Sequence, residues 1–105
     1  MKMVRAVVRP EQEQAIITAL AQNGFAALTK WDVLGRGKQR GIQVGSQMYD
    51  ELAKSMILIV IDDHQLEPVI KTILEAGFTG FPGDGKLFVS PVEAAYTLRT
   101  GKAEL

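Results

Sequence analysis

Apolar residues, most of them β-branched, cluster from position 3 to position 8, and Pro10 ends the run, which predicts a short strand buried on both faces. A helix is predicted next. Ile16 and Leu20 stand one turn apart with Ala15, Ile17 and Ala19 beside them, while Gln12, Glu13, Gln14 and Gln22 supply a wet face. Gly24 is placed for a left-handed cap, and Phe25 starts the return to extended structure. The same order then recurs. Residues 57–61 read as a strand, Val69, Ile70, Ile73 and Leu74 as a helix face, and Gly77-Phe78 repeats Gly24-Phe25. Pro68 fits only the first turn of that second helix, which therefore starts near Gln65 or Leu66. Two strand-helix-strand units in tandem predict an α+β chain, a ferredoxin-like βαββαβ sandwich with one sheet and both helices on one face. The opposite face of the sheet is apolar at several positions and has no helix to cover it; association with copies of the chain is the usual remedy.

Between residues 35 and 51 the periodicity fails. Gly35, Gly37, Gly41 and Gly45 alternate with cations and amides, predicting a long mobile loop that joins the two central strands. Connections of this length inside compact domains are functional or disordered. At the loop's base, Gly35-Arg36-Gly37-Lys38-Gln39-Arg40-Gly41 lets backbone amides close on an anion while three cations add charge, so phosphate is a natural guest. A solvated flexible loop or an RNA-contacting basic loop fits the same residues. The spacing matches neither a Walker A motif nor a dinucleotide fingerprint that opens a helix. A second glycine-rich stretch, Thr79-Gly80-Phe81-Pro82-Gly83-Asp84-Gly85-Lys86, runs into apolar Leu87-Phe88-Val89. Asp-Gly is a hairpin-turn signal in its own right. The alternative is that Lys86 meets phosphates cradled by the amides of residues 83–85, with Arg99 as a further cation.

Composition narrows the classes. A chain of 105 residues suits a single domain, spanning 1–105, and at that size self-association helps to bury surface. Twelve basic and twelve acidic residues cancel, leaving no global field to attract nucleic acid or an anionic membrane. One tryptophan, two tyrosines and four phenylalanines, scattered along the chain, also fit an RNA-binding sheet poorly. The absence of cysteine excludes disulfides, thiolate metal sites and a cysteine nucleophile, and is compatible with a cytoplasmic location. The N-terminal apolar run is too short for a signal peptide and no stretch approaches membrane-spanning length, so neither export nor membrane insertion is expected. His64, the single histidine, stands beside Asp62 and Asp63 at a strand-to-helix turn and reads as an exposed polar residue with no metal-ligand spacing around it. Ser46, Ser55 and Ser90 lack a matching base, and Asp84 reads as a turn or ribose-contacting residue. No catalytic residue is assigned, and the chain is expected not to be an enzyme. Trp31 and Phe25 are expected to pack in the sheet.

Placed on a doubled strand-helix-strand chain, these loops resemble the PII family of nitrogen-regulatory proteins over nearly the whole length. The residues that carry the likeness are Gly35-Arg36-Gly37-Lys38-Gln39-Arg40-Gly41 opening a T-loop (about 36–51) and Leu52-Ala53-Lys54 closing it. To these are added the 79–87 segment as a B-loop, and Leu98-Arg99-Thr100-Gly101 in a C-terminal segment of about 97–105. The resemblance implies a trimer, either a homotrimer or a mixed assembly with a paralogous PII protein, that holds ATP or ADP in clefts between subunits. By position, the nucleotide contacts would be Thr29, Gly35, Gly37, Lys38, Gly83, Asp84, Gly85, Lys86 and Arg99. It further implies 2-oxoglutarate as an effector at Gly37, Gln39, Arg40, Gly41 and Lys54, bridged to the ATP phosphates by Mg²⁺ that Gln39 helps to ligate. A dicarboxylate beside a triphosphate needs such an intervening cation.

The likeness departs from the common bacterial pattern in a shorter T-loop, in Tyr49 lying nearer the loop's end than the residue many members present for uridylylation, and in Thr97 standing where many carry a second arginine. The shorter loop, with Tyr49-Asp50-Glu51-Leu52, Val89-Ser90-Pro91-Val92-Glu93 and Tyr96-Thr97-Leu98, is more similar to the nitrogenase-associated branch called NifI. Its implied role is control of a nitrogenase component through the T-loop according to nitrogen status. Regulation of an ammonium transporter or of glutamine synthetase is the alternative.

Overall fold

A computed structural model describes residues 1–36, 42–44, 47–49 and 51–105. The chain runs β1 (Lys2–Val8), α1 (Pro10–Gln22), β2 (Thr29–Gly35), β3 (Ile42–Val44), β4 (Gln47–Tyr49), β5 (Leu52–Ile61), a 3₁₀ turn (Asp63–Gln65), α2 (Leu66–Gly77) and β6 (Gly85–Pro91). The main sheet is antiparallel in the order β2-β5-β1-β6, the ferredoxin-like arrangement expected from the doubled unit. The two strands joined by the long connection are central in chain order, but in the sheet β2 lies at an edge and β5 inside. Within that connection β3 and β4 pair as a two-stranded ribbon, which the glycine-rich sequence did not predict. Three-residue strands are too short to establish a readable alternation.

Helix and strand faces meet in one core: Val4, Ala6 and Val8 of β1, Ile57, Ile59 and Ile61 of β5, Ile16 and Leu20 of α1, and Val69 and Ile73 of α2. Each valine, leucine or isoleucine side chain among them, fully buried, contributes about 1.5–3 kcal/mol of transfer free energy. β1 is therefore buried on its helix-facing side only. Arg5 is exposed and Met3 and Val7 are half-buried, because both helices cover the same side of the sheet and, among the described residues, no helix covers the other. Cross-strand register puts Trp31, Met56, Arg5 and Phe88 on that open side. Trp31 accordingly stays 43% exposed and is not packed within the fold. Phe25, by contrast, packs against the core.

The helix boundaries have local causes. Pro10 sits in the first turn of α1, where its missing N–H costs no hydrogen bond, so the residue that ends β1 also starts the helix. Gly24 has φ +89° and closes α1 as expected. Gly77 differs. It is the last residue of α2, and a Cβ there would lie 3.3 Å from Ile16 Cδ1, so its smallness serves the approach of the two helices.

Candidate functional site

One end of the sheet gathers most of the chemistry. There β1 ends at Val8, β6 begins at Gly85 directly opposite it, and β5 carries Ser55 on its other side, with Lys54 one residue beyond. The turn over residues 79–84 that leads into β6 is wound around the carboxylate of Asp84. Oδ2 accepts from the backbone amides of Thr79 at 2.9 Å and Gly80 at 3.0 Å, while Oδ1 accepts from the Thr79 hydroxyl and, at 2.8 Å, from Arg9 Nε. Gly80, Gly83 and Gly85, with φ of +90°, +101° and +107°, allow the chain to reverse that tightly. Gly85 has no alternative, since a Cβ would sit 1.7 Å from the Val7 carbonyl oxygen.

Two cations brace this turn from outside it. Arg9, the residue between β1 and α1, also donates from Nη2 to the carbonyls of Pro82 at 2.8 Å and Phe81 at 3.4 Å. Lys54 is buried, and its ammonium donates to the Gly83 carbonyl. Its stem passes so close to β2 that a Cβ on Gly35 would lie 3.3 Å from Lys54 Cγ. The ion pair with Arg9 and the Thr79 hydrogen bonds hold the Asp84 carboxyl well below the usual carboxylate range. Burial, reinforced by repulsion from Arg9, pushes the Lys54 ammonium down, against the smaller attractions of Glu11 and Asp84. An anion arriving at Lys54 would recover that cost, so the corner suits a carboxylate or phosphate oxygen.

Of the residues singled out from sequence, Gly35, Lys54, Gly83, Asp84, Gly85 and Lys86 fall at this corner. Lys86 is exposed and opposite Val7 on the open side of the sheet. Thr29 starts β2 while Gly35 ends it, a separation of about 20 Å at the rise of a strand. Arg99 is exposed on a tail that leaves the sheet at its opposite end, where the Val92 amide donates to the Met1 carbonyl at 3.2 Å. Gly37, Lys38, Gln39, Arg40 and Gly41 lie outside the described residues. Among the described residues no cluster of three or more His, Cys, Asp or Glu side chains is placed to hold a metal ion, and no helix is long and apolar enough to cross a membrane. His64 is exposed on the 3₁₀ turn, as expected.

A family model described as Nitrogen regulatory protein P-II matches residues 1–102. The chain belongs to the P-II family. Its likeness to the nitrogenase-associated branch is supported by two methanogen proteins. A Methanothermobacter marburgensis protein named Nitrogen fixation nifHD region GlnB-like protein 1 is 56% identical over 100 residues, covering 95% of each chain. A Methanosarcina barkeri protein named Nitrogen fixation nifHD1 region GlnB-like protein 1 is 50% identical over 105 residues, the full length of both. More distant is Nitrogen regulatory protein P-II 2 of Methanothermobacter thermautotrophicus, 36% identical over 107 aligned positions covering 98% of this chain and 93% of its own. P-II proteins are regulatory signal transducers.

Arg9 is the residue that sequence reasoning missed. It is 75 positions from Asp84, and nothing in the local pattern ties the two together. The one available signal was its setting, a lone cation closing an apolar strand immediately before a proline.

Proposed function

We propose that this P-II protein binds ATP or ADP at the B-loop corner and, with Mg·ATP, 2-oxoglutarate at Lys54, and that ligand occupancy resets a T-loop through which it controls nitrogenase. The observation that carries the reading is the braced turn itself, three left-handed glycines around a saturated Asp84 with Lys86 beside them and the buried Lys54 ammonium against it. Such a turn presents backbone at close range to an anion, and Lys86 supplies a mobile point charge for phosphate. Lys54 is a poorly solvated cation within reach of the same turn, the complement a second carboxylate requires. Mg²⁺, when bound with the nucleotide, would neutralise the repulsion between phosphate and dicarboxylate oxygens. Gln39 is the residue proposed to ligate it.

Thr29 lies at the far end of β2 from this corner, and the tail that carries Arg99 leaves the sheet at its opposite end, which favours a cleft completed by a neighbouring copy. The open side of the sheet, with Trp31 and Phe88 exposed, offers the apolar surface for a homotrimer or for a mixed trimer with a paralogue. The names of the methanogen relatives point the regulatory output toward nitrogen fixation, and thus toward a nitrogenase component as target rather than an ammonium transporter or glutamine synthetase. No catalytic step is assigned to the chain.

Titration of ATP into the purified protein tests the nucleotide site. Lys86→Ala is expected to weaken binding about tenfold or more, since it removes a charge-assisted phosphate contact. Equal affinity in the two proteins would refute the assignment. Co-precipitation with nitrogenase, set against co-precipitation with ammonium-transporter membranes, separates the two targets.

A further inference from the structure

The B-loop is built from residues with the least intrinsic order, with glycines at three positions of positive φ between Thr79 and Lys86. Free glycines populate both signs of φ, so an unbraced turn of this composition would have to be ordered by its ligand, at the ligand's expense. Here it is ordered from outside. Arg9 reaches two consecutive features of the turn with one planar group, Nε on Asp84 Oδ1 and Nη2 on the Pro82 carbonyl, each at 2.8 Å, with a longer contact to Phe81 O. Asp84 in turn holds the amides of Thr79 and Gly80, so both ends of the turn are tied to one guanidinium.

We propose that Arg9 is a positioning residue for the nucleotide, acting through Asp84 and the Pro82 carbonyl and not by touching phosphate. This rests on the reading of the B-loop as the nucleotide site. Its backbone is suited to the task. With φ −63° and ψ 137°, the extended conformation a following proline favours, Arg9 continues β1 for one residue before the chain turns into α1. Its side chain is about one-fifth exposed and its charge is already matched by Asp84, so it contributes geometry more than long-range attraction. A lysine could keep the charge but not the fork that spans a carboxylate and a carbonyl.

The test is ATP affinity, measured by titration calorimetry for the wild type, Arg9→Gln, Arg9→Lys, Asp84→Asn and the Arg9→Gln/Asp84→Asn double variant, with the amide resonances of Gly80 and Gly83 followed by NMR without ligand. Arg9→Gln is expected to bind about tenfold more weakly, as loss of a charge-assisted hydrogen bond predicts, with Arg9→Lys between it and the wild type. The double variant is expected to fall no more than about twofold below the weaker single one, because the two side chains act as a unit. In free Arg9→Gln the Gly80 and Gly83 amides are expected to broaden or move toward random-coil positions. A role confined to stability would lower the melting temperature and leave affinity and the resonances of the folded protein alone. Unchanged affinity in folded Arg9→Gln, or additive losses in the double variant, would overturn the proposal. Should Arg9→Gln not fold, wild-type affinity in Arg9→Lys and Asp84→Asn would do the same. If the wild type binds no ATP, the nucleotide reading is what fails. The resonances then decide the positioning role alone, and unmoved glycine amides would overturn it.

Discussion

Asp84 shows how a single side chain defines a loop. Four donors converge on its carboxylate, one of them a guanidinium, and together they favour the ionised form. Because its pKa is depressed in the folded state, its contribution is complete above the ordinary aspartate value of 3.8 and is lost as the pH falls toward the folded value. The stability gap between wild type and Asp84→Asn should therefore be constant near neutrality and narrow between about pH 4 and about pH 2. Thermal melts across that range check it, and a gap that persists undiminished at the acid end would contradict the ion-pair account. Lys54 illustrates the opposite sign: burial disfavours its charge, so the folded chain holds an ammonium that gains from any carboxylate brought to it.

At the scale of elements, β1, β5 and both helices were legible because their apolar residues form short β-branched runs or recur at intervals of three and four, with Pro10, Gly24 and Pro68 as punctuation. What escaped notice depended on long-range placement. Gly77 matches Gly24 in sequence yet answers to Ile16 across the helix interface, and Arg9 belongs to a turn far along the chain. The β3–β4 ribbon is too brief to show a period, and the burial of β1 on one face only reflects where both helices dock. Of the candidate site, the glycine-rich stretch and its lysine could be singled out from sequence, whereas the bracing of the 79–84 turn by Arg9 could not. Gly85 is where loop and sheet depend on each other: Gly85→Ala would place a methyl group against the Val7 carbonyl at a left-handed φ. We expect a loss of about 2 kcal/mol or more in unfolding titrations, and a cost near zero would refute the β1–β6 register described here.

For the whole molecule, the sheet's open side exposes Trp31 and Phe88 with no described helix over them. Trp31 lies on it and is the single tryptophan, so its emission reports on whether that side is covered. A trimer burying it predicts blue-shifted fluorescence at working concentration and a sedimenting mass three times 11.5 kDa. Trp31→Glu is expected to lower that mass to one chain while costing the fold itself within about 0.5 kcal/mol, as for other exposed positions. A wild type that sediments as a single chain would contradict the assembly. Under the proposed function assembly matters because Thr29 starts β2 about 20 Å from the end of that strand nearest the Asp84 corner, so a neighbouring copy would have to bring the two together.

The central claim is that one corner of this sheet senses a nucleotide and a dicarboxylate together. It is tested most directly by calorimetric titration of 2-oxoglutarate into the protein with Mg·ATP, with ADP, and with no nucleotide. Heat of binding with Mg·ATP alone is predicted, because Lys54 draws one carboxylate while the other needs the metal and the phosphates. Equal binding in all three conditions, or none in any, would contradict the account.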